Sequence, residues 1–301
     1  MSEGLAVSSP TIESGSAGGP TVLRILLGAQ LRRLREASGV SRENAGWEIR
    51  SSESKISRIE LGRVRFKERD ISDLLRLYGM ADDDPERERL LTLAREANAP
   101  GWWQPYGDVM PGWFQPYLGL EAATSLIRTY EVQFVPGLLQ TREYARAVVR
   151  LGHPRASEAE LERRIELRMA RQKLLTRENP PQLWVVIDEA ALRRPIGGVA
   201  VLRGQIEALI DATRLPNVRL QIVSFEVGGH AAAGGAFTIL RFPEEDLTDI
   251  VYVEQLTSAL YLDRREDIDL YAEAMERLCL DANPPGQTVD MLAGILKDLH
   301  G

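Results

Sequence analysis

The stretch SRENAGWEIRSSESKISRIELGR, residues 41–63, limits the possible folds more than any other part of the chain. It carries two helix signals almost back to back. Ser41 can cap the first helix, in which Ala45 and Ile49 stand four apart. Ser52 can cap the second, where Ile56 and Ile59 stand three apart and Gly62 ends the pattern. Helix, short turn, helix is the helix-turn-helix arrangement. The flanks agree with a small helical domain. Leu23, Leu26, Leu27, Leu31 and Leu34 form one stripe that ends at Gly39, and further helices are expected over 68–79 and 84–98.

With Ile56 and Ile59 inward, Glu53, Ser54, Ser57 and Arg58 share the outward face of the second helix, with Lys55 at its edge. These five are the candidate base-reading residues. Short polar side chains allow close approach, Arg58 can make two hydrogen bonds to a guanine, and Glu53 can accept from a cytosine amino group. Arg42, Ser52, Arg63, Arg65 and Lys67 are the candidate contacts to the DNA backbone. Residues 21–76 hold thirteen Lys and Arg against eight Asp and Glu, although the whole chain carries a net charge of −7. A basic N-terminal module is thus joined to an acidic body, as binding to a polyanion requires. The competing reading is a helical bundle with an ordinary solvated charged surface.

The remainder divides by composition. Residues 1–20 are Ser- and Gly-rich and read as a disordered tail. Residues 21–98 form the helical domain. Residues 99–120, PGWWQPYGDVMPGWFQPYLGL with its neighbours, form an aromatic connector that is too rich in Pro and Gly for a regular helix and is expected to pack between domains. Residues 121–301 form the C-terminal domain. There a long helical region is expected over 121–178, followed by strands at LWVVID, VRLQIVSF, FTILRF, DIVYVE and SALYL, and closing helices at 263–280 and 288–299. Strand, helix, strand predicts one parallel pair, and the later short connections predict antiparallel pairing. The overall class is α+β.

The chemistry of the body points away from an enzyme. Asp188 and Glu189 at a strand end could be an acid/base pair, but capping or solvation explains them better. VGGHAAAGGAF around His230 lacks the Lys-Ser/Thr of a phosphate loop and reads as a mobile turn, while RRPIGGVA could offer backbone N–H groups to an anion at a helix start, although a turn explains it as well. The lone Cys279 excludes an internal disulfide, and three scattered histidines offer no metal-ligand spacing. No catalytic residue, metal or cofactor is expected. The N-terminus lacks the pattern of a signal peptide and no apolar run approaches a membrane span, so the expected compartment is the cytoplasm, in association with the nucleoid.

LRRLREASGVSRENAGWEIRSSESKISRIELGR resembles the lambda-repressor-like, XRE-type helix-turn-helix regulators. PGWWQPYGDVMPGWFQPYLGLE, IRTYEVQFVPGLLQTREYARA and LWVVIDEAALRRPIGG resemble the body of an actinobacterial regulator family with an antitoxin-like C-terminal domain. The first resemblance implies a structural ion pair between Arg35 and Glu60. It also marks two departures: Arg42 stands where the family usually has Gln, and Arg50 where the turn usually has Gly. Together the resemblances imply a transcriptional regulator; because one short helix reads too few bases alone, a homodimer on an inverted repeat of double-stranded DNA is expected. They further imply a body that binds a ligand or a small partner protein encoded nearby. The alternative is an antitoxin-like protein that neutralises such a partner and binds DNA only for autoregulation.

Overall fold

The structure is a computed structural model that describes residues 19–62, 64–244 and 247–299. Five helices build the N-terminal region: α1 (Pro20–Ala37), α2 (Arg42–Glu48), α3 (Glu53–Glu60), α4 (Glu68–Leu77) and α5 (Pro85–Ala97). Local chemistry sets most of their ends. Pro20 opens α1, so the helix starts within the stretch read as a tail; residues 1–18 of that stretch lie outside the described residues. Ser41, Ser52 and Asp84 accept hydrogen bonds from the backbone N–H groups of Asn44, Lys55 and Glu86. Leu27, Leu31, Ile56, Ile59, Ile71, Leu74 and Leu75 are buried together in one core.

α1 lies close against α3. A Cβ placed on Gly28 would come within 2.5 Å of the carbonyl oxygens of both Ile59 and Glu60. Gly62, which ends α3 with φ +65°, meets Ile25 of α1 in the same way. Two glycines thus let the backbones of the first and third helices meet, which fixes how far α3 stands out from the domain.

The aromatic connector is partly helical, contrary to expectation. α6 (Phe114–Ala123) begins inside it, because Pro116 falls in the first turn, where no intrahelical N–H is needed. α6 packs on α1 so closely that a Cβ on Gly119 would overlap Thr21. Trp103 is buried, while Trp102 stays 42% exposed. Phe114 stacks on Tyr117 at 5.4 Å, Tyr117 meets Tyr252 at 4.3 Å, and the Tyr261 hydroxyl donates to the Trp113 carbonyl at 2.6 Å. The aromatic run therefore joins the helical region to the sheet, and one apolar core continues from α1 into the body.

The body is a six-stranded mixed sheet. Its strands are β1 (Leu126–Glu131), β2 (Gln182–Asp188), β3 (Val218–Val223), β4 (Phe237–Arg241), β5 (Ile250–Glu254) and β6 (Ala259–Leu262), arranged β3-β2-β1-β4-β5-β6. β1 and β2 pair in parallel, as do β2 and β3; the remaining pairs are antiparallel. Two parallel pairs stand where one was expected. The difference is β1, which replaces the first part of the helical region expected over 121–178. LIRTYE is short and holds Arg128 and Glu131, so neither a continuous apolar run nor clean alternation marks it.

One face of the sheet is covered by α7 (Arg142–Gly152), α8 (Glu158–Gln172), the short α9 (Glu189–Arg193), α10 (Val199–Ala212) and, from the end of the chain, α12 (Thr288–Asp298). The other is covered by α11 (Arg265–Asp281), whose Met275 and Leu278 pack on Val186, Ile239 and Val251. The chain is α+β. Among the described residues no helix is long and apolar enough to cross a membrane.

Candidate nucleic-acid interface

α2 and α3 present the candidate surface. Their turn closes with hydrogen bonds from Arg50 N–H to the Trp47 carbonyl (3.0 Å) and from Ser51 N–H to the Gly46 carbonyl (2.8 Å), so it is short and well formed despite Arg50. Glu53, Ser54 and Arg58 are exposed and Ser57 is half-buried; with Arg42 and Leu61 they line a shallow groove. Arg58 Nε reaches back to the Ser54 carbonyl at 3.3 Å, which lays its guanidinium along the exposed face. Ser52 caps α3 and its hydroxyl also meets that of Ser54 at 3.0 Å. Arg65 and Lys67 are exposed in the segment between α3 and α4. Arg63 lies outside the described residues.

Two of the candidate residues are engaged inside the domain. Lys55 Nζ donates to buried Asp70 of α4 at 3.2 Å, so its ammonium is not presented with the exposed group. Arg42 Nε donates to Glu60 at 3.1 Å, and the rest of its half-buried side chain borders the groove. Spacing along one helix could not reveal either partner.

Behind the face sits the ion pair. Arg35 donates Nε–H to Glu60 Oε1 at 2.5 Å and Nη2–H to Oε2 at 3.2 Å; the two side chains are 8% and 3% exposed. Arg35 Nη1–H also donates to the Val40 carbonyl at 3.1 Å. The hydrogen bonds to Glu60 raise the Arg35 guanidinium above its ordinary value, while burial opposes them. Glu60 thus ties the end of α3 to α1 and to the start of α2 with three charge-assisted hydrogen bonds. Trp47, 76% exposed on α2, was not singled out by the sequence pattern.

The body has its own polar clusters. Asp188 caps α9 through Ala190 N–H at 2.8 Å, and Glu189 accepts from Arg193 at 2.9 Å and from Phe225 N–H at 3.0 Å; both carboxylates are held structurally. The Gly-rich loop is anchored where a mobile turn was expected. His230 Nε2 stands 2.9 Å from the Tyr130 hydroxyl, and His230 Nδ1 accepts from Ala232 N–H at 3.2 Å. Tyr130 in turn donates to Asp188 at 3.4 Å.

A second cluster surrounds the end of β1. Glu121 and Arg171 form a buried two-pronged pair at 2.7 and 3.0 Å, and Arg168 donates to Gln140 at 2.7 Å. Burial, and then the neighbouring Glu254, push Glu131 up to about 8. Burial, and then Arg171, bring Arg168 down to about 10. Glu131 lies on β1, which neither an apolar run nor alternation marks in the sequence, so residue spacing does not reveal it.

Its raised value has a pH signature. Between about 4.5 and about 8 the folded protein holds a proton at Glu131 that the unfolded chain has lost, so stability falls as pH rises through that window. Glu131→Gln removes that dependence. Thermal melts should show a higher Tm than the parent at pH 8 and little difference at pH 5; an equal gain at both would refute the protonated carboxyl.

Two family models match the chain. Residues 26–90 match a helix-turn-helix domain, and residues 114–294 match a family described as Domain of unknown function (DUF5753). No curated protein and no solved structure gives a significant match. The second match covers more than half of the chain, so the protein belongs to the DUF5753 family and carries a helix-turn-helix domain ahead of that body.

Proposed function

We propose that the protein is a sequence-specific DNA-binding transcriptional regulator that acts as a homodimer on an inverted repeat. The observation that carries this reading is the outer face of α3. Glu53, Ser54 and Arg58 stand exposed, with half-buried Ser57 among them, on a helix held from behind by Ile56, Ile59 and Glu60. Such a face can enter the major groove, Arg58 toward a guanine and the serines close to the base edges. An eight-residue helix reads few bases, and two copies about 34 Å apart would supply the rest. The body serves dimerisation and the binding of a small partner protein or ligand, with no catalytic role, and the site of action is the cytoplasmic nucleoid.

Selection from random duplex DNA by the full-length protein at about 150 mM salt, against scrambled competitor, tests the reading. An enriched inverted repeat supports it. Absence of any enriched sequence, with and without neighbouring small proteins added, refutes it. Stable capture of such a small protein without DNA selectivity would favour the antitoxin-like alternative.

Two substitutions separate base reading from charge. Arg58→Ala should cost about 1–3 kcal/mol on the selected site and relax preference at one base pair. Arg65→Ala should weaken matched and scrambled DNA alike and lower the salt slope by about one unit per protomer. Equal losses for Arg58→Ala on both DNAs would remove it from the base-reading set.

A further inference from the structure

Four helices of the N-terminal region are followed by a residue in the left-handed region: Gly39 (φ +69°) after α1, Arg50 (φ +53°) after α2, Gly62 (φ +65°) after α3 and Gly79 (φ +89°) after α4. Three are glycines, for which this conformation carries no steric penalty. Arg50 is the one non-glycine residue with positive φ among the described residues. Where an L-residue takes this conformation, Asn and Asp do so at least cost, because their short side chains can bond locally. An arginine has no such compensation.

The conformation is imposed by the turn. The bonds from Arg50 and Ser51 N–H to Trp47 and Gly46 require it. A Cβ on Gly46 would stand 2.9 Å from the Ser51 carbonyl oxygen, so the turn is folded tightly on α2 and cannot relax without moving α3. Arg50 thus carries strain that a glycine would not, and its own side chain gains nothing visible for it. The side chain is exposed, and its guanidinium makes no hydrogen bond or ion pair to any described residue.

Its position suggests what it gains. Arg50 lies two residues before Ser52, the cap of α3, beside the end of the helix that carries Glu53 and Ser54. In this arrangement the first residues of the second helix approach the bases, which brings the preceding turn near the strand that borders the groove. A strained residue kept at such a place is a sign of function.

We propose that Arg50 is a DNA phosphate contact that fastens the α2–α3 turn to the sugar-phosphate backbone, at a position where glycine would make the protein more stable. The inference rests on the DNA-binding reading above. It makes stability and binding respond in opposite directions to one substitution.

Arg50→Gly should raise the Tm of the full-length protein by roughly 2–4 °C. It should weaken binding to selected and scrambled duplexes alike at about 150 mM salt, by roughly fivefold per protomer and with the salt slope reduced by about 0.9 per protomer. Arg50→Lys should keep the slope without the gain in Tm, and Arg50→Ala should lose the slope without that gain. If the parent protein binds and Arg50→Gly leaves affinity and slope unchanged, the phosphate contact is overturned while the DNA-binding reading stands. If the parent binds no duplex above scrambled background, the reading itself fails, and the inference with it.

Discussion

Replacing Glu60 with Ala is expected to cost about 3–5 kcal/mol of folding stability, read as a lowered midpoint in chemical denaturation of the full-length protein. The carboxylate accepts two hydrogen bonds from Arg35 and one from Arg42. Arg35 is buried, so removing its partner leaves a guanidinium in the interior with the Val40 carbonyl and exposed Glu36 as its remaining acceptors. The environment is short of polar compensation: the neighbouring Tyr78 hydroxyl is buried with no hydrogen-bond partner among the described residues, and burial raises that phenol above its usual range. The double substitution Arg35→Met with Glu60→Leu should recover most of the loss, because no fully buried charge is then left unpaired and the half-buried Arg42, which loses Glu60, borders the open groove where water can reach it. DNA binding should fall in Glu60→Ala even where the protein is folded, since the end of α3 is then untied from α1. A loss below about 1 kcal/mol would mean that packing of Ile56 and Ile59, and not the ion pair, holds the helix.

Gly28→Ala sets local propensity against tertiary contact, and the two disagree in sign. In the middle of α1, alanine should be favoured over glycine by about 0.8–1.0 kcal/mol. The packing predicts the reverse. The new methyl would lie 2.5 Å from two carbonyl oxygens of α3, and both are backbone atoms with no rotamer to escape into. Either α1 and α3 separate or the end of α3 distorts, at about 1–3 kcal/mol for an overpacked core. Gly28→Ala should therefore destabilise the protein and weaken DNA binding together, whereas its neighbour Ala29→Gly should lose only the propensity difference. A stabilised Gly28→Ala variant would show that the two backbones are not in contact.

The helix-turn-helix region was largely readable because its signals are local. Ser41, Ser52 and Asp84 cap the helices they precede, Gly39 ends α1 in the left-handed conformation, and Ile56 and Ile59 point inward at their three-residue spacing. In the body Thr141 caps α7 through Tyr144 N–H at 3.2 Å by the same rule. The exposed group on α3 follows from helix period alone once its buried face is known. Arg42 and Lys55 escaped this logic. A charged side chain at the edge of a helix face can turn outward or find an acid, and Glu60 and Asp70 are 18 and 15 residues away in the chain.

The sequence by itself determined the number of the N-terminal helices and most of their capped starts, though not the start of α1, together with the outer face of α3, the basic character of that region and the α+β class of the whole. Each rests on hydrogen bonds or periodicity within a few residues, where chain neighbours supply the partners. Tertiary structure alone decided the rest. LIRTYE became the central strand β1 because β2 and β4 flank it and satisfy its backbone on both sides. Gly28 and Gly119 became contact points because α3 and α6 come to rest there. The Glu131 carboxyl is pushed up to about 8 because it is buried and because Glu254, 123 residues along the chain, lies near it. In each case the deciding partner is remote in sequence, and only the folded chain brings it within a few ångströms.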